Sequence, residues 1–250
     1  MAGKVLEAIV TKYLLAEMTR DEVEARLASA PIAILPLGAT EQHGHHLPLG
    51  TDIQLAEAYA LRIAERVDGV ILPSIPFGYS WVWQDVPGTI TVGHRTLEAL
   101  LADVIESVER SGFGMLVLVD GHDSNKTSMK FVVREYAAHS TFPVVRLFYP
   151  DLDDVRRSSC ESGTWHGMIH ACEFETSLML ASNPDLVDMT KAVREYPDAS
   201  DAYEYGAEQL GNISKSGVFG DATLATAAKG SAMLDRFVDD AVQIINGARR

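Results

Sequence analysis

The sequence predicts an α/β fold in which βαβ units surround a buried parallel sheet. Two observations carry this prediction. Short apolar runs rich in β-branched residues alternate with longer amphipathic segments over the first 150 residues, which is the pattern of strands and helices in turn. The 250 residues also contain no internal repeat and no convincing linker. We therefore expect one domain that spans residues 1–250.

The first half of this pattern begins with a short helix. Thr19 and Glu22 form a plausible capping box at its start. Residues 31–37 are an unbroken apolar run and predict the first strand. Residues 52–67 predict a helix, because their apolar side chains recur every three or four positions. Residues 69–72 predict the second strand.

The alternation continues through residue 148. Residues 96–111 have helical periodicity and end before a glycine, and residues 115–119 predict the third strand. Residues 128–138 predict another helix, and residues 142–148 predict the fourth strand. Two later segments, 150–166 and 190–228, are rich in Asp, Ser, Gly and Tyr and are expected to be long loops. Loops of that length in a compact domain usually serve function or an interface.

Charge and composition exclude several classes of partner. The chain has 21 Lys and Arg against 35 Asp and Glu, so its formal net charge is −14. Such a surface repels phosphate backbones and anionic lipids, so we expect no nucleic-acid and no membrane partner. Residues 1–15 are interrupted by Glu7 and Lys12 and lack the apolar core of a secretory signal. Two cysteines, Cys160 and Cys172, cannot form a disulfide framework. These features predict a cytoplasmic protein.

Side chains that bind metals are concentrated in three segments. Glu41, His43 and Asp52 follow the first strand, and His122 follows the third. The third segment, residues 166–175, precedes the apolar run 178–181. The carboxyl ends of neighbouring parallel strands meet at one edge of a sheet, and mixed Glu, His and Asp ligands suit Zn²⁺ or Mn²⁺. Each side chain also has an ordinary reading as a hydrogen-bonded loop residue or a helix N-terminal residue. Residue types alone leave both readings open.

The segment Leu35–Asp52 resembles the signature loop of the creatininase (creatinine amidohydrolase) family. Further matching segments follow in the family's order. They are Pro87–Thr91, Gly121-His122 with Asn125, His170–Ser177, and Gly217–Asp221 running to Ala225–Gly230. The resemblance implies a three-layer α-β-α domain with a mostly parallel central sheet. It also implies a homo-oligomer, commonly a hexamer, and a binuclear metal centre that hydrolyses a C–N amide-type bond.

The resemblance also implies a set of ligands for two divalent ions, Zn²⁺ or Mn²⁺ with Fe²⁺ as a third option. Glu41, Asp52 and His122 would hold one ion, and His43 with the shared Asp52 would hold the other. Creatinine-hydrolysing members add a glutamate where this chain has Ser124. We therefore expect Glu173, in the later motif, to complete the second site.

Two other residues of the later motif receive different roles. His170 matches the family's catalytic histidine and is expected to protonate the departing nitrogen. The alternative reading of His170 is a histidine that only orients its neighbours. Glu175 is expected to have a supporting or structural role.

Several substitutions argue against creatinine as the substrate. Asp120 stands where the family usually has asparagine. Pro150 and His166 replace tryptophans that cover the flat substrate of creatinine hydrolases. The residues expected to bind substrate are Ser80, Trp83, Asp123 and His166. Asp123 would favour a cationic or amine group, while Trp83 has an equal reading as a core or interface residue.

The sequence thus predicts a metal-dependent amidohydrolase that acts on an amide, lactam or formamide in a small substrate. Two alternatives stay open at this point. One is a metallopeptidase that acts on the end of a short modified peptide. The other is a catalytically inactive family member that still binds metal. The altered loop Asp120–Asn125 keeps this last reading open, whereas the retention of all the proposed ligands and His170 argues against it.

Overall fold

The computed structural model describes residues 12–198, 203 and 205–249. Most of the N-terminal segment discussed above, residues 1–11, lies outside these ranges. Within them, none of the helices combines the length and the apolar character that crossing a bilayer requires.

The central element is a four-stranded sheet in which every neighbouring pair of strands is parallel. Its strands are β1 (Ile32–Leu37), β2 (Val70–Ile71), β3 (Met115–Asp120) and β4 (Val144–Leu147), in the order β2-β1-β3-β4. Every residue of β1 and β3 is buried, as expected for inner strands covered on both faces. Leu37 pairs with Asp120, so β1 and β3 end together at one edge of the sheet.

Helices cover both faces of this sheet. In chain order, the α-helices of the described residues are α1 (Arg20–Leu27), α2 (Thr51–Val67), α3 (His94–Arg110), α4 (Lys126–Tyr136), α5 (Leu152–Ser159), α6 (Glu173–Ser182) and α7 (Ala227–Ala248). Side chains from α2, α6 and α7 pack with Ile34 and Val117 on one face. Side chains from α3 and α4 pack with Leu35 and Leu118 on the other. The three-layer α-β-α architecture with a parallel sheet is confirmed.

The elements predicted between residues 19 and 148 are all present, with their ends shifted by a few residues. The capping box is also present: Glu22 N donates to Thr19 Oγ1, and Thr19 N donates to the Glu22 carboxylate. The second strand is shorter than predicted and contains only Val70 and Ile71.

Two predictions about the later part of the chain are wrong. Residues 150–166 are not all loop, because α5 occupies residues 152–159; only Val155 in α5 is buried, so apolar periodicity gave no signal. The 22-residue helix α7, which begins inside the predicted loop 190–228, was not predicted. That loop also contains β5 (Arg194–Glu195) and β6 (Gly220–Asp221), which pair antiparallel, while residues 199–202 and 204 lie outside the described ranges.

Candidate metal centre

The loops after β1 and β3 converge with the first turns of α2 and α6 at the carboxyl edge of the sheet. They bring together five buried side chains: Glu41, His43, Asp52, His122 and Glu175. The first turn of α2 lies directly against the loop after β3, because a Cβ on Gly121 would lie 2.1 Å from the carbonyl oxygen of Asp52. Only glycine permits this approach, and it places Asp52 beside the end of β3.

Asp52 lies between the two histidines of the cluster. Its Oδ1 is 3.0 Å from His43 Nε2, and its Oδ2 is 2.9 Å from His122 Nδ1. Each carboxylate oxygen therefore faces a different imidazole. One carboxylate is thus shared between the two histidines.

Each of these histidines directs its second ring nitrogen at a backbone carbonyl. His43 Nδ1 lies 3.2 Å from the carbonyl oxygen of Glu41, and His122 Nε2 lies 3.0 Å from that of Tyr79. With the proton on the nitrogen that faces the carbonyl, the other nitrogen of each ring is unprotonated. That nitrogen faces the carboxylates and is able to bind a metal ion. Histidines that bind metals are usually oriented by such a hydrogen bond on the far side of the ring.

The electrostatics of the cluster favour a bound cation. Burial alone would lower the pKa of His43, but Asp52 and Glu175 outweigh it and raise the pKa to about 10. Burial raises the pKa of Glu175 to about 7, with Asp52 adding to the rise and His43 opposing it. Burial also raises the pKa of Glu41. Carboxylates crowded together away from water bind protons or metal ions more strongly than separated ones do.

The donor atoms form three sets in which all atoms lie within 4.8 Å of one another. The sets are Glu41–Asp52–His122, His43–Asp52–Glu175 and Glu41–His43–His170. In addition, Glu41 Oε2 is buried and accepts no hydrogen bond from the described part of the chain. Imidazole nitrogen with carboxylate oxygen is a donor set that Zn²⁺ and Mn²⁺ accept. The residues present therefore fit a divalent metal.

His170 lies at the edge of this cluster, in the loop before α6. Its Nδ1 is 3.6 Å from Glu41 Oε1, and its Nε2 is 2.9 Å from the carbonyl oxygen of Gln42. The ring stacks on Trp83 with a centroid distance of 4.8 Å and an interplanar angle of 26°. Burial, and then the charge of His43, lower the pKa of His170 well below its usual value. His170 is therefore neutral near pH 7.

Glu173, which the sequence predicts as the ligand that replaces a carboxylate at Ser124, does not lie in the cluster. Its carboxylate lies 2.6 Å from Lys229 Nζ and accepts a hydrogen bond of 2.7 Å from the backbone N–H of Ser162. The reason is helical geometry, since residues two apart in the first turn of α6 point in nearly opposite directions. Glu175 faces the metal cluster instead, with its Oε2 at 3.9 Å from His43 Nε2.

A cleft of about 900 Å³ opens above the cluster. Three of the four residues predicted to bind substrate line it: Trp83, Asp123 and His166. Ser80 is fully buried behind His122, with its Oγ at 3.5 Å from His122 Nε2, and is not part of the lining.

The surroundings of Trp83 and Asp123 change what each can do in the cleft. Trp83 is 2% exposed, so it offers the cleft little surface and mainly supports His170. Asp123 forms an ion pair with Lys126. That pair offsets part of the charge that Asp123 presents to the cleft.

Two residues lie at the cluster although sequence reasoning does not place them among the ligands. The sequence predicts a supporting or structural role for Glu175, and only the rotation of α6 distinguishes it from Glu173. Gln42 received no role, although it lies between Glu41 and His43 and contacts His170. Its position inside the longest motif was the one available signal.

Comparison with known proteins agrees with this geometry. The sequence matches the profile of a family described as Creatininase, creatinine amidohydrolase, over residues 16–245. The creatinine amidohydrolase of Pseudomonas putida is 33% identical over 235 residues, which cover 88% of this chain and 90% of that protein. The mycofactocin precursor peptide peptidase of Mycobacterium ulcerans (strain Agy99) is 33% identical over 226 residues, or 86% of this chain and 84% of that protein.

Solved structures show the same likeness. A creatininase variant of the Zn-Zn type superimposes with a TM-score of 0.83 and 32% identity, over 94% of this chain and 98% of that chain. A manganese creatininase gives a TM-score of 0.81 and 31% identity, over 94% and 98% of the two chains. These two proteins are named for divalent metals, which agrees with the donor sets found here. The profile match over nearly the whole chain and relatives with a third of their residues identical show that the chain belongs to the creatininase family of amidohydrolases.

Proposed function

We propose that this chain binds two divalent metal ions and hydrolyses a C–N amide-type bond in a small substrate. One observation carries the proposal: the two oxygens of Asp52 face two different histidines, His43 and His122, in a buried cluster. Glu41 lies on the His122 side, and Glu175 lies on the His43 side. Glu41, Asp52 and His122 would hold one ion, and His43, Asp52 and Glu175 would hold the other.

Zinc or manganese bound here, with iron(II) as a third option, would supply Lewis acidity that makes water nucleophilic at neutral pH and polarises an amide carbonyl. The remaining work falls to the chain. The fold holds the carboxyl groups of Glu41, Asp52 and Glu175 close together in a buried cluster, and the cleft above them admits a small molecule.

His170 would manage the proton that amide hydrolysis requires. Its pKa is lowered well below the usual value, so the ring carries no proton on Nδ1 before the reaction begins. With Nε2 directed at the carbonyl oxygen of Gln42, Nδ1 is the atom that faces the cluster. We expect Nδ1 to take up a proton when water attacks the carbonyl and to deliver it to the departing nitrogen.

The walls of the cleft favour a substrate other than creatinine. His166 and Pro150 line the cleft where the sequence comparison expected tryptophans, so a flat ring loses stacking surface there. The candidate substrates are amides, lactams and formamides that can approach His170 from the side of His166.

A metallopeptidase is the second candidate, and two observations favour it. The cleft volume of about 900 Å³ can accommodate more than a small ring. The peptidase of Mycobacterium ulcerans is as similar in sequence as the creatinine amidohydrolase of Pseudomonas putida, at 33% identity each.

The decisive experiment combines metal analysis with a substrate panel. Protein reconstituted with Zn²⁺ or Mn²⁺ is expected to retain about two ions per chain and to lose activity in excess chelator. The panel contains creatinine, five- and six-membered lactams, N-formyl amines and short peptides. Turnover of peptides alone would favour the second candidate, and unchanged turnover in chelator would contradict both.

A further inference from the structure

We infer that Gln42 is a positioning residue for His170, and that Glu195 fixes the loop that holds Gln42. The inference rests on the proposed role of His170 in proton transfer. It concerns two side chains outside the donor sets of the metal centre. A continuous series of hydrogen bonds joins them to His170.

Both polar ends of the Gln42 amide are fixed by backbone groups. The N–H of Gly44 donates to Gln42 Oε1 at 2.9 Å, and Gln42 Nε2 donates to the carbonyl oxygen of Gly217 at 3.1 Å. An acceptor at one end and a donor at the other leave only one favourable orientation of the amide. The side chain is 7% exposed, so water does not compete for these contacts.

The oriented amide reaches His170. Gln42 Nε2 lies 2.8 Å from His170 Nε2, and the backbone carbonyl oxygen of the same glutamine lies 2.9 Å from that nitrogen. Gln42 therefore surrounds Nε2 with a donor and an acceptor, and one of them pairs with it whichever tautomer the ring adopts. These contacts hold the ring so that Nδ1 faces the cluster.

Gly217 leaves room for this amide because it has no side chain. Its φ of +77° lies in the left-handed region, and a Cβ at this position would lie 1.8 Å from Gln42 Oε1. A side chain here would expel the Gln42 amide from its position. The glycine therefore serves the contact between the loop and Gln42.

Glu195, on β5, forms hydrogen bonds with the three residues that precede Gly217. Its carboxylate accepts hydrogen bonds from Ser214 Oγ at 2.8 Å and from the backbone N–H groups of Lys215 and Ser216 at 2.9 Å each. Ser214 Oγ in turn accepts a hydrogen bond of 2.8 Å from the N–H of Gly217. One carboxylate thus sets the conformation of the loop that presents the Gly217 carbonyl to Gln42.

The same loop also holds the backbone of His170. The N–H of Phe219 donates to the carbonyl oxygen of His170 at 2.9 Å. Loop 214–219 therefore fixes the main chain of His170 directly and its imidazole through Gln42. A substitution at Glu195 should therefore affect both the main chain and the imidazole of His170.

The first experiment compares wild-type protein with Gln42→Met, which keeps the side-chain length and removes the amide. Both are loaded with Zn²⁺, and ring nitrogen signals are recorded by ¹⁵N NMR, with His170 assigned from the spectrum of His170→Ala. We expect the His170 signals to shift while zinc content stays close to wild type. The variant should remain folded but unfold at a lower temperature, because the Gly44 N–H and the Gly217 carbonyl lose a buried partner. With the best compound of the substrate panel, kcat should fall about 10- to 100-fold and KM should change by less than about twofold.

The second experiment tests the remote carboxylate with Glu195→Gln. The matched control is Glu208→Gln, an exposed glutamate in the same part of the chain. Glu195→Gln should shift the His170 signals in the same direction as Gln42→Met, and the control should not. If Glu195→Gln does not fold, Ser214→Ala removes one of its partners and is expected to give a smaller shift.

The outcomes separate the inference from the proposed function. Unchanged His170 signals in Gln42→Met would overturn the positioning role, whatever the activity. Unchanged signals in both Glu195→Gln and Ser214→Ala would overturn the role of Glu195 alone. Full activity in His170→Ala would instead contradict the proposed function, while the NMR signals of Gln42→Met would still test the contact.

Discussion

Two buried glutamates, two residues apart on the first turn of α6, have opposite surroundings. Glu173 meets a cation, Lys229 Nζ at 2.6 Å, together with the backbone N–H groups of Glu161 and Ser162. Glu175 meets the acidic cluster and lies 3.9 Å from His43. Both residues are less than 9% exposed, so burial does not distinguish them.

The pKa values of Glu173 and Glu175 differ in the same sense as their surroundings. Burial raises the pKa of Glu173, but Lys229 and the backbone donors outweigh burial and bring it below the usual 4.5. Burial raises the pKa of Glu175 to about 7, and the donors near it do not compensate. A buried carboxylate that already has a cation stabilises the fold, whereas one among other carboxylates is suited to an added cation.

The largest effect should come from the residue that both proposed ions share. Asp52→Asn keeps the shape of the side chain and removes its charge, so we expect loss of both metals and of all measurable activity. Metal affinity should fall by more than about 100-fold, which exceeds the effect of losing an outer partner. Metal analysis after dialysis measures this. Asp103→Asn, at an exposed position on α3, is the control, and two retained metals in Asp52→Asn would rule out the bridge.

A smaller loss is expected at Glu175. Glu175→Gln should lower metal content from about two ions per chain to about one, because only the set with His43 loses a charged ligand. Glu173→Gln is the matched comparison two residues away and should retain both ions. The proposed division of roles fails if Glu173→Gln loses an ion while Glu175→Gln keeps both.

Glu173→Gln should affect folding stability instead. It leaves Lys229 paired only with the exposed Glu161, and we expect the free energy of unfolding to fall by about 1–2 kcal/mol. The pKa of Glu173 is lowered in the folded protein, so its contribution is fully present above the usual value of 4.5 and is lost as pH falls through the folded value. Urea unfolding at several pH values measures both effects. A gap between wild type and variant that persists undiminished at low pH would contradict this origin.

The smallest effect is expected at Ser124, which lines the cleft and offers only a neutral hydroxyl, a poor metal ligand. Ser124→Ala should leave the metal content unchanged. Its free energy of unfolding should stay within about 0.5 kcal/mol of wild type. Metal analysis and urea unfolding again provide the measurement. Loss of an ion in this variant would mean that the second site extends to the loop after β3.

The sequence predicted the parts of the site that depend on strand order. Glu41, His43 and His122 follow β1 and β3, and parallel strands deliver their ends to one edge, so their convergence could be expected. Which of Glu173 and Glu175 faces the cluster could not be predicted, because it depends on the rotation of the first turn of α6. In the folded chain Glu173 pairs with Lys229, which lies 56 residues away, and this contact cannot be read from the local sequence.

Helices were predictable where they bury a periodic apolar face and unpredictable where they do not. α2 buries nine of its residues, and its periodicity placed it within one residue of its observed start. α5 buries only Val155, so its helical state depends on context that local patterning does not contain. The contacts of Gln42 likewise could not be predicted from the sequence, since they join residues separated by 128 and 175 positions.

The loop after β3 touches the main chain of α2 at Gly121, where a Cβ would lie 2.1 Å from the carbonyl oxygen of Asp52. Backbone contact, rather than any side chain that faces the cleft, therefore sets how Asp52 lies relative to His122. Residues at the rim, such as Asp123 and His166, take no part in that contact. A new specificity can thus evolve by point substitutions at the rim, and no intermediate along the way has to rebuild the cluster beneath it.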